Sequence, residues 1–175
     1  MDSMSIEIPH PDYDNPKEIW AFFGLTAYSA NLIEQSLVNL AVVLQLPALN
    51  LLSREAFEET FGDLEERTLG QLLKAARLAT SIPDDLDELL HQALRKRNYL
   101  IHRFFREHAE DALSNAGRRL MINELRDMLA FLKDLDPRLQ RIYLALWQEY
   151  GVDDDFIRKE FAEMQARARE RNGAS

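Results

Sequence analysis

The chain has 175 residues, 46% hydrophobic and 29% charged, with six Gly and six Pro. This is the composition of one helical, globular domain and excludes a disordered or fibrous chain. A formal net charge of -9 opposes nucleic acid overall, so any RNA or DNA contact must come from a local basic patch. The absence of cysteine excludes disulfides, thiolate metal sites and cysteine nucleophiles, and is compatible with a reducing cytoplasmic setting.

Residues 1–15 are polar and acidic and lack the basic start and apolar run of a secretory signal. Asn15 followed by Pro16 marks a helix start, with Asn as N-cap and Pro where its missing N–H costs nothing. The helix is predicted to run to Leu46 and stop before Pro47. Its apolar residues, from Ile19 and Trp20 through Tyr28 and Leu37 to Leu44, wrap most of the way round, which places it at the centre of the core or against a second subunit. The greasiest run, 37–46, is broken by Asn39 and Gln45 and is too short to cross a bilayer, so no membrane association is expected. Glu34 lies here with Ala30, Leu37 and Val38 as helical neighbours; it either pairs with Arg97 or reaches out to solvent.

A connector over 47–52 leads to a short helix at 54–61, capped by Ser53 and ended by Gly62, and then to a helix over 68–80. The two read as a flank or lid on the bundle. Asp84, Asp85, Asp87 and Glu88 then gather in the first turn of a central helix predicted over 84–108, where helix-dipole complementarity explains them without a ligand. Leu86, Leu89, Leu90, Ala93, Leu94, Leu100, Ile101 and Phe104 or Phe105 form its seam. After a joint near Ser114 and Gly117, apolar residues recur at three and four from Leu120 to Leu135. Asp136-Pro137 is predicted to start a separate helix ending at Gly151, followed by a last helix over 153–172 with a thin stripe of Phe156, Ile157, Phe161 and Met164. The expected fold is all-α: a helical bundle of about four to five core helices with short flanking helices. A polar segment at 1–15 precedes the bundle at 16–152, and the C-terminal helix and tail at 153–175 belong to the same domain.

No phosphate-binding Gly-rich loop, Rossmann fingerprint, His-Glu-x-x-His zinc pair or Gly-x-Ser-x-Gly elbow is present. His91, His102 and His108 do not fall on adjacent turns of one helical face, so no metal site and no cofactor are expected. The stretch 95–106 stands out because it holds five of the 21 basic residues and no acid. Arg97 has Ala93, Leu94, Leu100 and Ile101 as helical neighbours and so projects from the apolar seam, which requires a role or a partner. Asn98, His102 and Arg106 follow at spacings of four along an adjacent face.

Arg97 and His102 are separated by about 140° around the helix, too far for one pair to close over a small substrate. Two copies related by a two-fold axis would bring both pairs together. Such a set suits RNA phosphodiester cleavage without a metal. Histidine takes the 2′-hydroxyl proton or supplies one to the 5′-oxygen, and an arginine fork stabilises the charge at phosphorus. Arg95, Lys96, Arg103 and Arg106 would hold the RNA backbone, and Tyr99 would either stack on a base or, as preferred, pack in the core. The competing reading is a solvated basic face with His102 as an ordinary polar residue.

The run Arg97-Asn98-Tyr99-Leu100-Ile101-His102 resembles the Arg-x4-6-His motif of the HEPN superfamily, in which a polar residue, often Asn, follows the arginine. The resemblance is specific over about 12 residues and agrees with the all-helical layout. It implies a homodimeric helical bundle with a composite cleft in which Arg97 and His102 are catalytic and Asn98 orients His102 or the substrate. It also implies a metal-independent endoribonuclease of a toxin–antitoxin or anti-phage defence system, with an antitoxin or defence protein as possible partner. The alternative within the superfamily is a non-catalytic binding or dimerisation module. The branch paired with nucleotidyltransferase antitoxins carries Tyr two residues after the His, where this chain has Phe104.

Overall fold

The computed structural model describes residues 7–49, 70, 71, 74, 84–150 and 154–173. They form an all-α helical bundle. We number the helices α1 (Glu18–Leu49), α2 (Asp84–His102), α3 (Phe104–Glu107), α4 (Asn115–Glu149) and α5 (Asp154–Asn172), with a 3-10 turn at Asp111–Leu113. The predicted connector beyond residue 49, the helix at 54–61 and all of the helix at 68–80 except Gly70, Gln71 and Lys74 lie outside the described residues.

The Asn15 side chain accepts from the Lys17 N–H at 3.0 Å, which satisfies a backbone donor the first turn cannot bond internally. α1 does not stop before Pro47 as expected but continues to Leu49. α4 corrects a second boundary, because Asp136-Pro137 does not start a new helix and Pro137 lies inside one helix of 35 residues. Packing overrides the local break: Leu132, Leu135 and Leu139 lie on both sides of Pro137 and are buried in a single cluster. The predicted continuous helix over 84–108 is interrupted instead. Arg103 leaves helical geometry at φ -129°, although its N–H still bonds to the Tyr99 carbonyl at 2.9 Å, so the axis breaks without losing that bond.

Among the described residues two apolar clusters build the core. One joins Ile33, Leu37 and Leu40 of α1 to Leu86, Leu90 and Ala93 of α2 and to Leu132, Leu135 and Leu139 of α4. The other joins Ile19 and Phe22 to Leu100, Phe104, Met121, Ile122, Leu125 and Met128. The order of these residues along each helix makes α1 and α4 run parallel and α2 antiparallel to both. Hydrogen bonds cross-link the parallel pair: Thr26 Oγ1 donates to the Leu125 carbonyl at 3.2 Å, and Ser36 Oγ donates to Asp136 Oδ1 at 2.8 Å.

The joint expected near Ser114 and Gly117 is a helix start. Ser114 caps α4 by accepting from the Gly117 N–H at 2.9 Å. A Cβ at Gly117 would lie 2.2 Å from the Asp111 carbonyl oxygen, so only glycine lets the 3-10 turn close onto α4.

Candidate functional site

Along α2 the core contacts pass from the first cluster, ending at Ala93, to the second, beginning at Leu100. Arg97 falls between them. Its Nε lies 3.0 Å from Glu34 Oε1, with side-chain exposures of 32% and 23%. The two are in contact as charges, but the N–H is not aimed at that oxygen, which has no aligned hydrogen bond. The contact holds the guanidinium by its inner edge. Its Nη1 lies 3.4 Å from Asn98 Oδ1, a long and weak contact, so the outer fork of Arg97 stays beside an exposed Asn98.

His102 is the last residue of α2 and is exposed. Neither it nor the exposed Arg106 has a hydrogen bond or ion pair among the described residues. Within one chain Arg97 and Asn98 are brought together, whereas Arg97 and His102 are not, since they leave the helix in different directions.

The other basic residues of the stretch are dispersed. Arg95 pairs with Glu88 at 3.2 Å on the solvent face. Lys96 sits 5.4 Å over the Phe131 ring of α4, a cation–π contact that holds it on the flank opposite Asn98. Arg103 pairs with Glu107 at 2.8 Å. A cleft of about 380 Å³ on the α4 flank is lined by Arg95, Lys96, Tyr99, Glu124, Asp127 and Met128. Its two bases are balanced by two acids, so it offers a phosphate backbone no net attraction. Among the described residues no group of three or more His, Asp or Glu is placed to hold a metal ion.

Aromatic side chains surround this end of α2. Phe104 is fully buried, and Phe105 stacks against Trp20 at 4.8 Å between ring centroids. Trp20, Tyr28 and Ile101 are nonetheless 63%, 53% and 46% exposed. Trp20, Gly24 and Tyr28 share one face of α1 at spacings of four, and a Cβ at Gly24 would meet nothing.

Spacing alone did not single out the polar cluster just beyond this stretch. His108 Nδ1 is 2.7 Å from Asp111 Oδ2, and its Nε2 is 2.8 Å from Glu124 Oε2 and 3.3 Å from the Tyr99 hydroxyl. Burial disfavours a charged imidazole here, but hydrogen bonds and charges from Asp111 and Glu124 outweigh it and raise the His108 pKa. Burial and then Glu124 push Tyr99 up to about 12, so it remains a neutral phenol packed edge-on against Phe104 at 6.2 Å. The i,i+3 pair His108 and Asp111 was visible in the sequence, whereas Glu124, on another helix, was not. Comparison of the chain with family models, with curated proteins and with solved structures yields no match.

Proposed function

We propose that this protein is a metal-independent endoribonuclease of HEPN type, cutting RNA through Arg97, Asn98 and His102 contributed by two chains to one cleft. The observation that carries the reading is the state of those side chains. Arg97 is anchored on its inner side by Glu34 with its fork turned toward Asn98, and His102 is exposed with no hydrogen-bond or ion-pair partner among the described residues. In this scheme His102 removes the 2′-hydroxyl proton, the 2′-oxygen attacks phosphorus, and the bond to the 5′-oxygen breaks as that oxygen takes up a proton from the imidazolium so formed, leaving a 2′,3′-cyclic phosphate and a 5′-hydroxyl. The Arg97 fork stabilises the additional charge on the phosphate. Arg106 is the basic residue best disposed to hold the backbone. Arg95, Lys96 and Arg103 would first have to leave Glu88, Phe131 and Glu107.

A dimer is part of the proposal, because Arg97 and His102 of one chain diverge. Exposed Trp20, Tyr28 and Ile101, with the open notch at Gly24, supply apolar surface for a second copy. A cytoplasmic role in a toxin–antitoxin or defence system, with a regulating partner protein, follows from the resemblance.

The test is incubation of purified protein with RNA oligonucleotides in EDTA, with analysis of product ends. Wild type should give cyclic phosphate ends, and His102→Ala should lose at least about 100-fold in rate with an unchanged Tm, since its side chain is exposed. Equal cleavage by both proteins would overturn the proposal.

The Arg97–Glu34 contact also favours a second reading, a non-catalytic module in which the pair simply joins α2 to α1. On that reading Arg97→Ala costs about 1–3 kcal/mol by stranding the Glu34 carboxylate, and RNA is untouched by wild type.

A further inference from the structure

We propose that α5 is a self-association helix that pairs antiparallel with α5 of a second copy of this chain. Among the described residues no element packs along α5, yet Phe161 and Met164 are 59% and 58% exposed. Ile157, Phe161, Met164 and Ala168 are spaced four, three and four apart, which is the seam of two consecutive heptads. A solvated terminal helix needs no such seam.

Charge selects the occupant. Residues 154–163 carry four acids and two bases, whereas residues 164–172 carry three bases and one acid. Parallel copies would therefore align like-charged ends, and antiparallel copies opposite ones. The antiparallel register that closes the seam sets Phe161 against the second copy's Met164 and Ile157 against its Ala168. In that register the flanking Glu160 of each copy faces Arg167 of the other, giving two symmetric attractive pairs beside the apolar layers. Among the described residues of one chain Arg167 pairs only with Glu163, at 3.7 Å and on an exposed surface, a contact weak enough to be exchanged. Two heptads make a short clasp, so its affinity should be modest and salt-sensitive.

This pairing uses none of the Arg97 or His102 surface, so the Glu160 and Arg167 variants and the crosslinks test it separately from the ribonuclease reading, whereas a monomeric wild type would count against both. Sedimentation equilibrium of the full chain tests it. Wild type should self-associate, Glu160→Lys should weaken the dimer about tenfold or more, and Glu160→Lys with Arg167→Glu should restore it. Because the chain has no cysteine, single-cysteine variants report orientation. Ile157→Cys mixed with Ala168→Cys should give a mixed disulfide dimer under mild oxidation, whereas parallel pairing would give only like-with-like dimers. A monomeric wild type, a dimer unaffected by Glu160→Lys, or like-with-like crosslinks would each overturn the proposal. In the second case, a dimer through the α1–α2 face would remain compatible with the composite RNA site.

Discussion

The protonation state of His108 is tied to the fold through the two carboxylates it contacts, Asp111 and Glu124. A protonated imidazole donates to both Asp111 and Glu124, but a neutral one has a single N–H and must turn a lone pair toward one carboxylate. Its pKa is raised in the folded state, so its contribution is complete below the ordinary value of 6.5 and is lost as pH rises through the folded value. We therefore expect wild-type Tm to fall as pH increases above about 6.5, and His108→Gln to flatten that slope. An identical slope in the variant, measured by calorimetry across that range, would refute the assignment. The sequence shows His108 and Asp111 as neighbours on one turn, but it cannot show that Glu124 arrives from α4, because a long-range partner depends on how two helices dock. The same limit applies to Glu34, whose spacing allowed either solvent or an ion pair; the 3.0 Å contact with Arg97 is set by the α1–α2 crossing. Trp20 and Tyr28 illustrate the opposite problem, since an apolar type does not reveal which face the core leaves uncovered.

The long helices follow the apolar spacing closely: Leu86, Leu90, Leu100, Leu125, Leu129, Leu132 and Leu135 are all buried. Their ends were less legible, because breaks depend on packing as well as on local residue type. Pro137 removes a backbone donor and crowds the preceding turn, which argues for a boundary, yet the apolar rhythm carries α4 through it. At Arg103 the rhythm continues into Phe104, and nothing local marks the break. The proline should therefore carry a measurable cost. Replacing it by Ala restores the N–H and relieves the clash, worth up to about 3 kcal/mol, against a loss of about 0.4–1 kcal/mol from a freer unfolded chain. Pro137→Ala should raise unfolding stability by about 1–2 kcal/mol, as read by urea titration. A destabilised variant would mean that α4 requires the backbone restriction proline imposes.

For the whole molecule, the proposed composite RNA site would make a demand that no single chain meets. Arg97→Ala and His102→Ala proteins should each be inactive, yet mixing them should recover part of the cleavage, because a mixed dimer holds one intact arginine and one intact histidine in the shared cleft. Subunit exchange followed by the EDTA assay checks this, and absence of recovery between two folded, exchanging variants would exclude a shared site. The parallel alignment of α1 and α4 has a further consequence for biosynthesis. Thr26 meets Leu125 and Ser36 meets Asp136, so the principal partner of α1 is about 100 residues downstream. At about 5–20 residues per second, α1 leaves the ribosome several seconds before α4 is made. Through that interval Ile33, Leu37, Leu40 and Val43 lack their α4 partners, so the nascent chain carries apolar surface open to aggregation before α4 emerges.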